Sequence, residues 1–357
     1  MNLTRPFLLA LAALGLHVGV TFGQPAPEPA RLPPAAPTTP TAALAVPPQA
    51  TPTALPAGQS TDQYPDGLIG GAALLLVKPY FENNPAYFVN DRQGKQVHTS
   101  EHVDIRHNLQ ATPQVWLGYI CESGVGARAR YWYLRSDTSQ TLEDPTRVVT
   151  AHPAGLSLIQ DHASQLIVDS KLRLHVLDLE GLQAFRGDSW DVLLSAGVRL
   201  ARISQSYDAF ATAADGFGIS LLSRHTFEGA GPVIAGEARR MIGDTGLALY
   251  GNARGSLLFG TANQSAAIPV ANDVGSDRRH RGLLTGEVEL GLEYGCNLGG
   301  TWLFGQVGLV GQNWFGAGSA SRSTILVVPG GDFTGGGYSM DSDIAFLGVS
   351  FRLGVNY

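Results

Sequence analysis

The feature that most constrains this chain is an alternation of apolar and polar side chains, repeated in segments of roughly ten residues from Gly67 onward. Successive side chains of a β-strand point to opposite faces, so this two-residue period separates the two classes on a strand and mixes them on a helix. In 247–259, for example, Asn252, Arg254 and Ser256 alternate with leucine, glycine, alanine and phenylalanine. The pattern predicts an all-β fold whose strands each have one apolar face.

The predicted strands are joined by connections that alternate between short and long. The strands are 70–80, 112–121, 125–135, 170–184, 190–203, 224–240, 246–260, 283–296, 301–315 and 343–357. Tight turns rich in turn-forming residues stand at 122–124, 186–188, 243–245 and 297–300. Long polar connections stand at 81–111, 136–169, 204–223, 261–282 and 316–342. Short periplasmic turns and longer outer loops are typical of an antiparallel, up-and-down transmembrane β-barrel, so we predict this fold with about 10 strands.

Two alternatives to this architecture remain open from the sequence. The number of strands rises to 12 if Val148-Val149 and 156–159 form an extra hairpin. The strands of a soluble β-sandwich or propeller would also alternate apolar and polar side chains, but such a fold would bury the charged face or expose an apolar band to water. Aromatic residues near strand ends match the interfacial girdle of a membrane barrel instead. They are Tyr131, Tyr133, Trp190, Tyr294, Trp302 and Trp314.

The N-terminal region predicts export. Arg5 precedes an apolar stretch from Phe7 to Val20, and small residues follow near Gly23, as in a cleaved secretory signal peptide. The alternative, a membrane anchor, would need about 18 uninterrupted apolar residues. The following alanine, proline and threonine favour polyproline II and cannot build a core. We therefore predict a signal peptide at 1–23, a disordered Pro-rich periplasmic linker at 24–66 and an outer-membrane barrel at 67–357.

The polar face of the predicted strands carries many charges. An Arg or Lys facing lipid near the membrane midplane costs roughly 2–4 kcal/mol, so these side chains are expected to point into the barrel. In 170–184, a β-bulge near Val176 and Leu177 would be needed to bring all charges to that face. The predicted lumen-lining residues are Arg128, Arg130, Lys171, Arg173, His175, Arg199, Arg254, Glu287, Glu289, Glu293 and Arg352.

A barrel of this size predicts a narrow interior. About eight strands are just filled by side chains, whereas water-filled porins use 16–18. The mixed charges then indicate a narrow pore for ions or small solutes. The alternative is a non-conducting surface, adhesion or structural barrel, which is filled by ion pairs and acts through its long outer loops.

Signals for catalysis, cofactors or nucleic acid are weak. The net charge of -6 lacks the basic excess of a nucleic-acid-binding protein. No Gly-x-Ser-x-Gly motif indicates a membrane-embedded hydrolase, the enzymatic alternative. One loop could hold a metal, but an exposed polar loop explains its residues equally well. These are His98, Glu101, His102, Asp104 and His107. We expect no enzymatic activity, no cofactor and no metal, and we expect Cys121 and Cys296 to be free thiols because their strands are not neighbours.

The last segment predicts how the barrel closes. Apolar residues occupy every second position of 347–357, and this strand is expected to pair with its predecessor and with the strand that starts near Gly70. Such a strand with a terminal aromatic resembles the assembly signal of bacterial outer-membrane barrels. The residues of the signal are Phe351, Leu353, Val355 and Tyr357. The expected partners are the barrel-assembly machinery, outer-membrane lipid, and small solutes or ions.

Several blocks of the sequence together resemble one family. They are GAALLLVKPY at 71–80, WLGY at 116–119, GARARYW at 126–132, LDLE at 177–180, AGVRLAR at 196–202, GAGP at 229–232 and GNARGSLLFG at 251–260. From about Gly70 to Tyr357 the chain is similar to the Legionella-type major outer-membrane protein family, which is abundant in planctomycete-like bacteria. The resemblance implies a pore-forming outer-membrane barrel and brings no catalytic residues.

Overall fold

The computed structural model describes residues 67–357 except 94–95, 144–147, 152–157, 161–162, 188, 214–215, 244, 270–272 and 323–341. The predicted signal peptide and linker lie outside the described residues. The strands are β1 (Gly67–Phe81), β2 (Pro85–Gln93), β3 (Gln96–Asp104), β4 (Gln110–Ile120), β5 (Val125–Leu142), β6 (Val148–Ala151), β7 (Leu158–Gln160), β8 (Ala163–Arg186), β9 (Trp190–Ala213), β10 (Gly218–Met241), β11 (Leu247–Ile268), β12 (Asp273–Leu298), β13 (Thr301–Phe315) and β14 (Ile344–Asn356). No helix within these described ranges is long and apolar enough to cross a membrane.

Ten of the strands form a closed antiparallel barrel in the order β1-β14-β13-β12-β11-β10-β9-β8-β5-β4. β1 closes the ring by pairing with β4 on one side and with β14 on the other, from Ile69 opposite Asn356 to Phe81 opposite Ile344. Leu68 and Tyr357 exchange two backbone hydrogen bonds of 2.8 Å at the seam. The predicted all-β, ten-stranded barrel and its closure by the last segment are confirmed.

The remaining strands form a separate sheet in the order β3-β2-β6-β7. β6 and β7 lie in the stretch that could have supplied an extra barrel hairpin. Because β6 pairs with β2 and β7 instead, this stretch does not raise the number of barrel strands to 12.

The barrel wall is much taller on one side than on the other. β8, β9 and β10 have 24 residues each, β11 has 22 and β12 has 26, whereas β4 has 11 and β14 has 13. The predicted long connections at 204–223 and 261–282 are therefore mostly strand. In this outer part of β9, Tyr207 and Ala209 fill the interior while Ser206 and Asp208 face outward, so the alternation continues with polar residues outside.

The outer face carries an apolar band of limited height. On β9 it extends from Trp190 to Leu200, which are 49 % and 43 % exposed, and Arg202 follows on the same face. The ten steps between these two residues, at a rise of about 3.3 Å per residue and a tilt of about 40°, span about 25 Å, the height of the apolar band in outer-membrane barrels. The band begins at the short-turn end of the barrel, where both β1 and β14 have their seam termini.

Two residues of the predicted aromatic girdle have a different place. Trp190, Tyr131 and Tyr294 are exposed on the outer face, but Trp302 and Trp314 are 5 % and 1 % exposed. The latter two have the inward parity of β13, because its outward positions are taken by residues such as Leu303, Val307 and Leu309. This corrects their assignment to the girdle.

Candidate functional site

A layer of ion pairs crosses the interior of the barrel within the height of the apolar band. It contains arginines and carboxylates from β5, β8, β9, β10, β11, β12 and β14, and all of them except Glu237 are less than a tenth exposed. We call it the ion layer. Its members are Arg128, Arg130, Arg199, Arg239, Arg254 and Arg352 with Asp178, Glu180, Asp191, Glu237, Glu287, Glu289 and Glu293.

Asp178 lies at the centre of this layer. Arg199 donates to both of its carboxylate oxygens, from Nε at 2.7 Å and from Nη2 at 2.9 Å. Arg130 Nη1 and Arg254 Nη1 lie 3.7 Å and 3.4 Å from Asp178 Oδ2. Glu287 balances part of this charge, since its Oε1 accepts a hydrogen bond of 2.5 Å from Arg130 Nη2. A carboxylate surrounded by three guanidinium groups is held in one orientation by charge-assisted hydrogen bonds.

Glu180 and Glu289 organise two further groups in the layer. Glu180 accepts from Arg128 Nε at 3.1 Å and Nη2 at 2.9 Å, and it also accepts from Arg254. Glu289 accepts from Arg352 and from the Tyr250 hydroxyl at 2.8 Å. Each carboxylate thus has more than one donor, which is what a charge removed from water requires.

Strand register explains why these side chains meet. Arg128 is paired with Glu180 and Arg130 with Asp178 across β5 and β8. Asp178 is in turn paired with Arg199 across β8 and β9. All of these positions have the inward parity of their strands, so directly opposed residues of opposite charge touch inside the barrel.

Eight of the predicted lumen residues point into the barrel, and they belong to the ion layer. These are Arg128, Arg130, Arg199, Arg254, Glu287, Glu289, Glu293 and Arg352. Whether they line a conducting path stays a prediction.

The other three predicted lumen residues, Lys171, Arg173 and His175, lie exposed on the outer face of β8. The expected bulge near Val176 does not form, because β8 pairs without interruption with β5 from Leu166 to Gln183 and with β9 from Gln165 to Arg186. The inward positions between them hold apolar residues, and this part of β8 rises beyond the apolar band. The prediction that they line the lumen was wrong.

Five charged members of the ion layer were not in the predicted set. They are Asp178, Glu180, Asp191, Glu237 and Arg239. A pattern in the sequence could have identified most of them, because charged residues two positions apart recur at 128 and 130, 178 and 180, and 237 and 239. Such pairs share one face of a strand.

An apolar layer lies next to the ion layer, on the side of the long connections. It is formed by inward side chains that are at most 3 % exposed and come from nine of the ten barrel strands. Trp132 and Trp314 meet edge to face at its centre, with ring centroids 6.2 Å apart. Its members are Leu75, Val77, Trp132, Leu134, Leu172, Leu174, Val176, Ile203, Phe227, Leu258, Leu283, Val310, Trp314, Ile344 and Phe346.

A segment that follows β13 folds inward over the apolar layer. This cap, 316–322, includes a short 3-10 helix at Ala320–Arg322. Gln205 of β9 donates to the Gly318 carbonyl at 3.0 Å and accepts from the Ala320 N–H at 3.1 Å. Ser223 of β10 donates to the Ala320 carbonyl at 2.7 Å. The cap is thereby tied across the mouth to the tall side of the barrel.

A small cavity borders the ion layer on the short-turn side. It has a volume of about 40 Å³, and its lining includes Gln114, Trp116, Arg130, Glu237 and Arg352. A space of this size and polarity holds a few water molecules.

The structure also describes most of the residues of the predicted assembly signal, the two cysteines and the candidate metal loop. Phe351, Leu353 and Tyr357 are 48 %, 72 % and 75 % exposed on the outer face, and Val355 is partly exposed there; their role in assembly stays a prediction. Cys121 and Cys296 are free and exposed. Among the residues whose side chains are described, no group of His, Cys, Asp and Glu could hold a metal ion. The side chains of His98, Glu101 and His102 lie outside that set.

Comparison with solved structures finds barrels of low similarity. The outer membrane protease OmpT from Escherichia coli is 12 % identical, with a TM-score of 0.42, over 83 % of this chain and 98 % of that chain. The Pseudomonas putida toluene transporter TodX is 8 % identical, with a TM-score of 0.26, over 82 % and 91 %. OmpT of Vibrio cholerae is 7 % identical, with a TM-score of 0.11, over 81 % and 99 %. At these values the three structures carry no argument about activity.

The family comparison is decisive for identity. A search of curated proteins finds no match. The expected link with planctomycete-like bacteria is not supported. The family model described as "Legionella pneumophila major outer membrane protein precursor" matches residues 67–356, which is the whole barrel. This outer-membrane β-barrel protein therefore belongs to the Legionella major outer membrane protein family.

Proposed function

We propose that this protein is a non-conducting outer-membrane barrel that acts as a surface or structural protein through the part of its wall and loops that rises beyond the membrane. The single observation that carries the proposal is the apolar layer. Side chains such as Trp132, Leu174, Phe227 and Phe346 leave at most 2 % of their surface accessible, so they support an interior without a water column.

Ions would meet three obstacles in series on a path through this barrel. The cap covers the outer mouth, the apolar layer excludes water, and the ion layer fills the interior with paired charges. A hydrophobic constriction prevents conduction by dewetting, even where it is wide enough for an ion. A ten-stranded barrel also lies near the size at which side chains fill the interior.

The narrow pore predicted from the sequence is the second candidate. The observation that favours it is the polar cavity beside Arg130, Glu237 and Arg352, which would give small ions a place to enter the ion layer from the short-turn side. Conduction would then require the apolar layer and the cap to move.

Planar-bilayer recording of the purified protein separates the two candidates. We expect a silent bilayer at moderate voltage, and discrete conductance steps would overturn the proposal in favour of the pore. A flotation assay with proteoliposomes, together with the different gel mobilities of boiled and unboiled protein, must show that the silent protein is inserted and folded.

The proposal includes no enzymatic activity and no cofactor. It also includes export by a cleaved signal peptide and insertion through recognition of the closing strand by the barrel-assembly machinery. The outward apolar positions Phe351 and Leu353 support the last point, because an assembly factor that pairs with β14 would contact this face.

A further inference from the structure

The outer face of the tall wall changes from uncharged to predominantly cationic within three rows of paired residues, the first of which holds the Arg202–Glu228 pair. One row of directly paired outward residues across β5, β8, β9, β10, β11 and β12 is entirely without charge. It consists of Tyr131, Leu177, Leu200, Ala230, Phe259 and Gly282. The three rows beyond it contain Arg135, Lys171, Arg173, Arg202, Arg224 and Arg278, which we call the cation patch.

Much of this positive charge is not neutralised by the protein. Arg202 pairs with Glu228 at 3.1 Å, and Arg135 pairs with Asp137 at 2.7 Å. Among the described residues, Lys171, Arg173 and Arg224 form no ion pair within 4 Å, although Asp208 attracts Lys171 and Arg224 from a greater distance. Asp169 and Asp208 face outward one row farther from the apolar band. A negative group at the edge of the band therefore meets the cations before it meets these carboxylates.

The patch belongs to one side of the barrel. On the outward positions of β13, β14, β1 and β4, which complete the ring, Lys78 is the one charged residue. The cations of the patch stand on β5, β8, β9, β10 and β12, which continue beyond the apolar band. Their concentration on this part of the wall, next to the apolar rows, indicates a binding surface.

The geometry points to the phosphate groups of an anionic glycolipid in the outer leaflet as the partner of this cation patch, and we propose this site. Acyl chains of such a lipid would lie along the apolar rows, and its phosphates would stand at the boundary where the patch begins. Arginine binds phosphate through two parallel hydrogen bonds, and lysine contributes a mobile point charge. The inference depends on the membrane location of the barrel and not on whether the barrel conducts.

The test uses the full-length protein in detergent, titrated with purified bisphosphorylated lipid A. The test variant replaces Lys171, Arg173 and Arg224 with glutamine. The matched control removes the same charge from positions outside the patch, the partly exposed Lys78 and the exposed Arg240 on the barrel and the exposed Arg106 in the β3–β4 connection. We expect about 100-fold weaker binding for the test variant, from the known contribution of each Lys or Arg at an anionic lipid surface, and a change of less than about twofold for the control.

Two further arms identify the chemistry. Dephosphorylated lipid A should bind the natural protein no better than the test variant binds the bisphosphorylated form. Inorganic phosphate at millimolar concentration should not compete, because it lacks the acyl chains that the apolar rows hold. Equal affinity of the test variant and the natural protein, or equal binding of both lipids, would overturn the proposal. If the triple variant does not fold, as judged by its gel mobility, the single variant Arg173→Gln must still weaken binding severalfold.

Discussion

At the residue scale, the most demanding feature is a carboxylate without water. Asp178 is fully buried and is held by Arg199, Arg130 and Arg254. The buried carboxylate stays stable only while all of these arginine partners are present, because a buried charge that loses its counter-charge has no solvent to replace it.

Asp178→Asn should destabilise the folded barrel by about 3–5 kcal/mol, because it leaves several buried guanidinium groups partly uncompensated. The measurement is urea unfolding in lipid vesicles, followed by the loss of the fast-migrating unboiled form. Asp137→Asn makes the same chemical change in the exposed pair with Arg135 and should cost about 1 kcal/mol or less. Similar losses for the two variants would show that the ion layer is more hydrated than its burial indicates.

A second prediction concerns His107, in the connection between β3 and β4. Its Nδ1 lies 2.8 Å from the Ser136 hydroxyl and its ring stacks on Phe81 at 5.3 Å. Burial lowers the pKa of His107 to about 4, against a smaller opposite effect of Asp137. The unfolded chain takes up this proton below about pH 6.5, whereas the folded chain resists until about pH 4, so the stability falls as the pH decreases through this window.

The free energy of unfolding should therefore lose up to about 3 kcal/mol between pH 6.5 and 4 on account of this one side chain. His107→Phe keeps a ring against Phe81 but has no proton to bind, so its unfolding free energy should fall less over the same range. The difference between the two pH profiles is the readout, since carboxylates elsewhere titrate in both proteins. Parallel profiles would mean that His107 takes up its proton as readily in the folded barrel as in the unfolded chain.

At the element scale, the outward residues of β9 mark the height of the membrane on the barrel wall. Its outward residues are apolar from Trp190 to Leu200 and polar or charged from Arg202 to Asp208. Ala196 stands near the middle of the apolar part, whereas Ser204 stands beyond it.

Ala196→Arg should destabilise the barrel in lipid vesicles by roughly 2–4 kcal/mol, and Ser204→Arg by less than about 1 kcal/mol, because the cost of a lipid-facing cation depends on its depth. Unfolding in urea measures both. If the two variants have the same stability, the apolar band has been placed at the wrong height.

Strand β8 shows how far the sequence could predict an element. Its existence and pairing followed from the alternation, but its outer half has the inverse alternation, with Leu172, Leu174 and Val176 inside. A rule that places every charge in the lumen holds only at membrane depth. Because the strand continues beyond the lipid, water outside and an apolar core inside reverse the rule, and nothing local in the sequence marks the height at which this happens.

At the scale of the whole molecule, closure and strand number were predictable because they depend on period and turn spacing. The sealed interior was not. The apolar layer gathers one to three residues from each of nine strands, and the cap reaches Gln205 and Ser223 from more than 90 positions away in the chain. Such contacts depend on the register of the complete ring, which one sequence without the structure does not specify.

Cys121 and Cys296 offer a test of the orientation of the whole barrel. Both are exposed at the end of the barrel that carries the short turns. Outer-membrane barrels direct this end to the periplasm. A membrane-impermeant maleimide should therefore leave intact cells unlabelled and label the same protein after the outer membrane is permeabilised. Ser276→Cys, at the opposite end on β12, should be labelled on intact cells in a background without the two natural cysteines. Labelling of the natural cysteines on intact cells would show that the short-turn end of the barrel faces the outside of the cell.

The unequal strand lengths determine which part of the protein an approaching particle contacts at the cell surface. From Arg202 to the end of β9 at Ala213 the wall continues for eleven positions, about 25–30 Å above the lipid boundary at the usual rise and tilt. The barrel strands of the opposite side, such as β14 with 13 residues, end nearer that boundary, and β2 and β3 of the separate sheet are inserted there between β1 and β4. The continuous barrel wall is therefore tall on one side only. An antibody or a phage tail that approaches the cell would touch the tips of β8 to β12 first, so these tips are the place to seek epitopes and to insert foreign peptides for display.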